Sequence, residues 1–444
     1  MTGIGVDPYW ELSFGTDARP DPGQRDRLLR GVATTGVTDL IVFAHGWNND
    51  HSSATRLHRR FFTPFPALLE RAPAHARAAG RPAPRVGYTG VFWPALRFAD
   101  EPIPDHTPTR LSEQTARLAI QRGLDKVTLD ALLAFFPEAV RDLHRMAILL
   151  RERAESTERL AEFCTLARRL ADAGDHVAAA DRRASGARPV LLDGAPVTVC
   201  TRLADALEST GAETVPSAAP EPDEEADSEP GDGPPPFVRL WSGARELLRQ
   251  ATYHRTKGYA RAVGESGLAP VLARLATAAP GTRIHLVGHS YGARLVCFAQ
   301  RALPAAAPAT GSLVLLQGAL SVSAFGPDGV LRGLHRRVDG PLVACHSTYD
   351  DALGTLYPAA SRLPGEPEPP GAVGHEGLRE GPAGVRLTLA ETAPRSGRPF
   401  PARGHVSVDA GAVVRRGHPP IGAHMDICHA ELARVVLRAG HILP

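Results

Sequence analysis

Short apolar runs of strand length alternate along the chain with segments of helical periodicity, and this alternation constrains the fold more than any other feature. The runs are rich in β-branched and aromatic residues and occupy residues 39–44, 85–93, 282–288, 312–317, 341–346 and, as a last candidate, 405–408. Apolar residues recur at helical spacing in 268–278, 293–302 and 430–439. Continuous apolar strands are typical of sheets that are buried on both faces. The sequence therefore predicts an α/β fold with a mostly parallel sheet flanked by helices.

The stretch between the second and third strands is much longer than a crossover between parallel strands needs. Residues 124–153 and 154–173 carry apolar residues at helical spacing and predict two helices. Residues 217–236 combine seven acidic residues with six prolines and no basic residue, which predicts a disordered acidic loop. A second stretch rich in proline and glycine, 363–384, is expected to form another exposed loop.

These patterns predict a discontinuous arrangement of domains. The predicted parts are an α/β core over residues 1–99 and 237–444, a helical insertion or cap over 100–216, and the acidic loop at 217–236. The insertion is expected to cover the carboxyl edge of the sheet, where open α/β sheets bind their ligands.

Composition excludes several classes of protein. Fifty basic against 48 acidic residues give a formal net charge of +2, so no nucleic-acid or anionic membrane partner is indicated. The first 22 residues lack a basic segment followed by an apolar one, and no run of about 18 apolar residues occurs, so neither a secretory signal nor a membrane-spanning helix is predicted. The five cysteines are scattered without a CxxC pair, which favours a reduced, cytoplasmic protein. Its oligomeric state is left open.

The pentapeptide Gly288-His289-Ser290-Tyr291-Gly292 matches the pattern G-x-S-x-G. It directly follows an apolar strand and opens an apolar helix, which is the context of a nucleophile elbow. In such a turn Gly288 and Gly292 leave room for the backbone, and the Ser290 hydroxyl stands at a helix N-terminus that favours negative charge. An ordinary strand-to-helix turn with a helix-capping serine is the alternative.

A serine that attacks an acyl group also needs hydrogen-bond donors for the oxyanion that forms. The backbone N–H of Tyr291, the residue after the serine, is one candidate. The N–H of Trp47, in the loop after the first strand, is the second, and Gly46 lets that loop turn inward. The alternative is that Gly46 and Trp47 only form a packed turn.

The tripeptide His45-Gly46-Trp47 is followed later in the chain by the pentapeptide at 288–292, on alternating strands and helices. This combination resembles the α/β-hydrolase superfamily, in particular serine hydrolases of the esterase and lipase type. The resemblance covers about residues 40–95 and 240–440, and residues 251–264 are similar to the helix before the elbow strand in uncharacterised bacterial members. It implies a catalytic triad in the order serine, acid, histidine. It does not specify the substrate.

Three aspartates are candidates for the acid that this order implies. Asp350 is preferred because it follows the strand at 341–346 in the pattern D-x-A-L that the resemblance predicts. Asp351 is the second choice, and Asp328, after the preceding strand, is the third. Each of them has an alternative role as a solvated loop residue or a helix cap.

Three histidines near the C-terminus are candidates for the base. His424 is preferred because it lies on the loop before the final helix, from which an imidazole can reach Ser290. His429 is placed at the start of that helix, and His418 precedes two prolines. Neither the histidine spacing nor any phosphate-binding glycine motif indicates a metal or a nucleotide, so no cofactor is predicted.

The sequence thus predicts a serine hydrolase that cleaves a carboxylic ester of a lipid or a small molecule through Ser290, Asp350 and His424. Two alternatives stay open. The first alternative is a non-catalytic relative that acts as a binding scaffold. The second is an acyltransferase or thioesterase that uses the same triad.

Overall fold

The computed structural model of the chain describes residues 3–70, 72–78, 80, 82–96, 98, 123–172, 194–212, 236–304, 310–361, 371–378 and 384–444. The predicted acidic loop lies outside these ranges except for Pro236, which begins a helix. Parts of the predicted insertion, 100–122, 173–193 and 213–216, also lie outside them.

Eight strands form one sheet. They are β1 (Tyr9–Ser13), β2 (Asp39–Ala44), β3 (Val86–Phe92), β4 (Arg283–His289), β5 (Ser312–Leu316), β6 (Pro341–His346), β7 (Gly384–Thr388) and β8 (Gly404–Asp409). Their order across the sheet is β1-β3-β2-β4-β5-β6-β8-β7, and every neighbouring pair is parallel. The predicted fold class, α/β with a mostly parallel sheet, is therefore confirmed.

The helices are α1 (Pro22–Thr35), α2 (His51–Phe62), α3 (Phe65–Leu69), α4 (Ala72–Ala78), α5 (Lys126–Phe135), α6 (Val140–Glu152), α7 (Thr157–Asp172), α8 (Pro196–Ser209), α9 (Pro236–Ala262), α10 (Ala269–Ala278), α11 (Tyr291–Ala302), α12 (Tyr357–Ser361), α13 (Val373–Glu376) and α14 (Ala430–Ala439). Two π-helical turns accompany them: Val263–Leu268 joins α9 to α10, and Ala352–Leu356 leads into α12. No helix in the described part of the chain is long and apolar enough to cross a membrane.

Helices cover both faces of the sheet because successive strand residues face opposite sides. In β2, Leu40 and Val42 belong to one hydrophobic cluster, whereas Ile41 and Phe43 belong to another. The first cluster takes in residues of α1, α9, α10 and α11, and the second takes in residues of α2, α3 and α14. The sheet is thus the middle of three layers, and its core strands are buried from both sides.

Helices α5 to α8 belong to the first of these clusters: α7 and α8 pack against α9, and α6 packs between α5 and α7. Phe163 of α7 meets Trp241 of α9 edge to face at 5.9 Å, and the Trp241 indole N–H donates to the carbonyl of Ala154 at 3.1 Å. The single helix predicted over 124–153 is wrong: the chain leaves the helix at Phe136 and resumes it at Val140. Pro137 lies in the break, where its ring removes a backbone donor.

The exposed loop predicted over 363–384 is also wrong for the residues that the structure describes there. Residues Val373–Glu376 form α13, and Ala372 and Val373 are fully buried. Gly384 begins the edge strand β7. The segment is buried because it packs under the loops that follow β5 and β6, to which Gly374 is hydrogen-bonded through both its N–H and its carbonyl.

Candidate active site

Ser290 occupies a sharp turn between β4 and α11. Its backbone has φ 55° and ψ −122°, a combination that residues other than glycine rarely adopt. A Cβ at Gly288 would collide with the backbone of Gly292 and Ala293, and a Cβ at Gly292 would collide with the carbonyl of Ala44. Glycine is therefore required on both sides, and the turn presents Ser290 at the first turn of α11.

Ser290, His424 and Asp350 form a continuous hydrogen-bonded chain. The Ser290 hydroxyl and His424 Nε2 are 2.8 Å apart, and His424 Nδ1 is 2.8 Å from Asp350 Oδ2. All three residues are buried, with exposed fractions of 3%, 9% and 0%. The structure thus brings together the three residues that the sequence singled out as nucleophile, base and acid.

The parallel sheet explains why residues so distant in sequence meet. Ser290 follows β4, Asp350 follows β6, and Gly46 follows β2, so all three lie at the carboxyl edge, as in other open α/β sheets. A Cβ at Gly46 would come within 2.5 Å of Ser290 Cβ and 3.1 Å of its hydroxyl. The loop after β2 therefore lies directly against the serine.

The Asp350 carboxylate is oriented by donors from two directions. Its Oδ1 accepts the backbone N–H of Leu353 at 3.0 Å, in the π-helical turn that begins at Ala352. Its Oδ2 accepts the side-chain amide of Gln317 at 3.2 Å, besides the imidazole. Gln317 is held for this contact by a second bond to the carbonyl of Gly374 at 3.0 Å and has a positive φ of 44°.

His424 is positioned by a loop that docks onto the loop carrying Asp350. The N–H of Ala423 donates to the carbonyl of Tyr349 at 2.8 Å, and the N–H of Ala352 donates to the carbonyl of Ile421 at 3.3 Å. Between these two bonds Gly422 has φ 55°, and a Cβ there would collide with Tyr349 and Asp351. Backbone hydrogen bonds on both sides of Gly422 thus hold the two loops together, and the glycine is required at this position.

His289 is a further positioning residue that the sequence alone did not identify. Its Nε2–H donates to the carbonyl of His424 at 2.9 Å, and the two rings lie 5.1 Å apart. Complete burial, with a smaller contribution from His424, lowers the pKa of His289 to about 3, so the ring stays neutral. Its place next to Ser290 in the pentapeptide was the one available signal.

Of the two residues predicted to donate to an oxyanion, Tyr291 directly follows Ser290, and Trp47 follows Gly46, which lies against the serine. The Tyr291 N–H stands at the N-terminal end of α11, where the helix dipole favours negative charge. Trp47 follows Gly46 and stacks on Tyr253 at 4.2 Å, and Tyr253 lies 5.8 Å from Tyr291. The aromatic packing fixes the two loops beside the serine.

The other predicted candidates lie outside this hydrogen-bonded chain. The Asp351 carboxyl stands against Gly422, and its pKa is raised by burial and by the charge of Asp350. Asp328 and His418 are exposed. His429 is the N-cap of α14 and pairs with Asp426 at 2.8 Å, which raises the pKa of its imidazole. Within the described ranges, no group of three His, Cys, Asp or Glu residues is arranged to hold a metal ion.

A second Ser–His–Asp set lies at the opposite edge of the sheet. His285 Nδ1 is 2.9 Å from the Ser312 hydroxyl, and His285 Nε2 is 3.1 Å from Asp39 Oδ1. Asp39 and Ser312 are the first residues of β2 and β5, and all three side chains are at most 2% exposed. Burial lowers the pKa of His285. Because the three residues belong to β2, β4 and β5, their hydrogen bonds tie these three strands together.

A cavity of about 90 Å³ opens beside Ser290 and His424. One wall is apolar and comes from α7 and the π-helical turn after Asp350: Ala167, Ala171, Leu353 and Leu356. The other wall is formed by α9, which contributes both apolar and polar side chains: Leu247, Gln250, Ala251, Tyr253, His254 and Lys257. The serine hydroxyl thus faces an enclosed space that is mostly apolar, as small-molecule sites generally are.

Comparison of the chain with protein-family models, with curated proteins and with solved structures finds no match. The function of the protein is therefore inferred from the fold class and from the contacts around Ser290.

Proposed function

We propose that this protein is a serine hydrolase that cleaves a carboxylic ester through an acyl-enzyme on Ser290. The observation that carries the proposal is the hydrogen-bonded chain from the Ser290 hydroxyl through His424 to Asp350, at the mouth of a mostly apolar cavity. The positive φ of Ser290 supports it, because such strain is kept where the surrounding structure requires it for a function.

In this mechanism His424 Nε2 accepts the hydroxyl proton of Ser290 as the serine oxygen attacks the acyl carbonyl. Asp350 accepts the Nδ1–H of His424, which selects the tautomer with a free Nε2 and stabilises the imidazolium. The backbone N–H groups of Trp47 and Tyr291 stabilise the oxyanion. His424 then protonates the leaving alcohol, and a water molecule activated by the same imidazole releases the acid.

Membership of the α/β-hydrolase superfamily is part of this proposal. Three features support it: the strand–turn–helix placement of Ser290, the Gly46–Trp47 loop against it, and the chain order Ser290, Asp350, His424. The five cysteines are free thiols, which supports the expectation of a reducing, cytoplasmic compartment.

The test is covalent labelling by a fluorophosphonate, which reacts with an activated serine. We expect the wild-type protein to be labelled and Ser290→Ala to abolish both labelling and hydrolysis of p-nitrophenyl esters. Ser312→Ala is the matched control. Ser312 also belongs to a Ser–His–Asp set, formed with His285 and Asp39, but that set lies buried at the other edge of the sheet. Labelling that persists in Ser290→Ala, or a wild-type protein that cleaves no ester and takes no label, would contradict the proposal and favour a non-catalytic binding role.

A further inference from the structure

The peptide that joins Gly46 to Trp47 has two side-chain donors on its carbonyl. His45 Nδ1–H donates to the carbonyl of Gly46 at 2.8 Å, and the side-chain amide of Asn49 donates to the same oxygen at 3.3 Å. The Asn49 amide also donates to the carbonyl of Trp47 at 3.0 Å. His45 is 1% exposed and Asn49 is 4% exposed, so these bonds form away from solvent.

The tautomer of His45 follows from its two partners. A carbonyl oxygen only accepts hydrogen bonds, so Nδ1 carries the hydrogen, and Nε2 is left to accept the backbone N–H of Trp93 at 3.4 Å. Complete burial lowers the pKa of His45 to about 4, which keeps the ring neutral as this pattern requires. The Trp93 indole N–H donates in turn to the carbonyl of His45 at 2.9 Å. The His45 ring is thus held in place from the end of β3.

The direction of the Trp47 N–H follows from these contacts. The carbonyl and the N–H of a planar trans peptide point in opposite directions. Because His45 and Asn49 hold the Gly46 carbonyl on one side, the N–H of Trp47 points to the other, and it donates to no acceptor in the described part of the chain. A Cβ at Gly46 would come within 3.1 Å of the Ser290 hydroxyl. A donor of fixed direction therefore follows the residue that lies against the nucleophile.

We propose that His45 and Asn49 are positioning residues for the oxyanion. By holding the Gly46 carbonyl, they direct the N–H of Trp47 towards the oxygen that becomes negative when Ser290 attacks. Hydrogen bonds to a carbonyl also polarise the amide and strengthen its N–H as a donor. This inference rests on the proposed serine hydrolase activity and names the residues on which its transition-state stabilisation depends.

The test removes each donor while keeping the shape of the side chain. His45→Phe keeps a ring without an N–H, and Asn49→Leu keeps the branch without an amide. We expect each variant to lower kcat for p-nitrophenyl esters about 10²-fold with little change in KM, because a misdirected donor weakens binding of the transition state alone. His45→Asn is the rescue variant, because its amide nitrogen is as many bonds from the backbone as Nδ1. It should restore kcat to within about tenfold of wild type.

Two further measurements separate positioning from general damage to the site. The pH profile of kcat/KM reports the titration of His424, and its midpoint should be the same in all variants because the triad is unchanged. His58→Phe is the matched control. His58 is fully buried, its ring centroid lies 5.9 Å from that of His45, and its Nδ1 pairs with Tyr9, so kcat should stay within about threefold of wild type. Circular dichroism checks folding, and either donor variant carries the test if the other does not fold.

Each outcome bears on the proposal. A fall in kcat in the donor variants with recovery in His45→Asn supports it. An unchanged kcat in a folded donor variant, an equal loss in His58→Phe, a shifted pH midpoint or a failure of His45→Asn to recover overturns the inference while leaving the hydrolase proposal intact. A wild-type protein that cleaves no ester and takes no fluorophosphonate label overturns both.

Discussion

Asp350 and Asp351 are adjacent in the chain but occupy different environments. Asp350 is fully buried and accepts hydrogen bonds from Leu353, Gln317 and His424. The Asp351 carboxyl, partly exposed beside Gly422, has its pKa raised by burial and by the neighbouring charge. The difference follows from the π-helical turn after them, in which the N–H of Leu353 donates to the Asp350 side chain.

We expect Asp350→Asn to lower kcat for ester hydrolysis by roughly 10⁴-fold, because an amide in this place no longer holds the imidazole in the required tautomer. Asp351→Asn is the matched control and should stay within about tenfold of wild type, since that carboxyl stands against Gly422 and the imidazole is held by Asp350. Steady-state kinetics of both variants, with thermal melting to check folding, measure the effect. A larger loss in Asp351→Asn would contradict the assignment of the acid.

Single residues also mark the limit of what the sequence could predict about the site. Ser290, Asp350 and His424 could be proposed from the sequence because each belongs to a motif or has an expected place in the chain order. His289 and Gln317 were missed because their importance lies in one hydrogen bond each across the fold, to His424 and Asp350. Hydrogen bonds between residues so far apart in the chain leave no spacing pattern from which they could be predicted.

At the level of elements, the sequence predicted those strands whose burial leaves a continuous apolar signature. The six predicted strands agree with β2, β3, β4, β5, β6 and β8 to within one residue at each end. The two edge strands, β1 and β7, were missed because an edge strand mixes exposed and buried residues over a short length. The buried α13 was missed because its Pro/Gly-rich surroundings are typical of loops, and only tertiary packing buries it.

The buried set of Asp39, His285 and Ser312 ties β2, β4 and β5 together at their amino ends. Removing the Ser312 hydroxyl in Ser312→Ala leaves His285 Nδ1 without a partner, so we expect the free energy of unfolding to fall by about 1–3 kcal/mol. Urea denaturation measures it, and fluorophosphonate labelling of the folded protein should persist. A Ser312→Ala protein that is folded but unlabelled would show that the two sets are coupled or wrongly distinguished.

Across the whole molecule, buried histidines make stability depend on pH. Burial lowers the pKa of His45 and His405 to about 4 and that of His289 to about 3, and it lowers the pKa of His58 well below 6.5. The unfolded chain binds protons at these residues as the pH falls below about 6.5, whereas the folded protein does not. The stability that these neutral histidines contribute is therefore fully present above about pH 6.5. It is lost progressively as the pH falls towards their lower pKa values in the folded protein.

We expect the free energy of unfolding to decrease from pH 7 to pH 5, before most carboxylates titrate. His58→Phe should flatten this dependence by about 1.4 kcal/mol per pH unit below pH 6, the contribution of one proton. Tyr9→Phe is the control, because it removes the hydroxyl that lies 3.3 Å from His58 Nδ1 and leaves the imidazole in place. Denaturant titrations at several pH values give the slopes, and an equal slope in wild type and His58→Phe would contradict a role for the buried imidazole in the pH dependence.

The docking of the Ile421–Gly422–Ala423 loop on Tyr349 has a consequence for the order in which the molecule matures. Strands β4 to β6, with Ser290 and Asp350, precede that loop in the chain, and His424 comes after it. Domains are built from the N-terminus during synthesis. A nascent chain that ends before the loop therefore contains Ser290 but not His424, the proposed proton acceptor. His424 is synthesised just before α14, the helix that packs on the second face of the sheet.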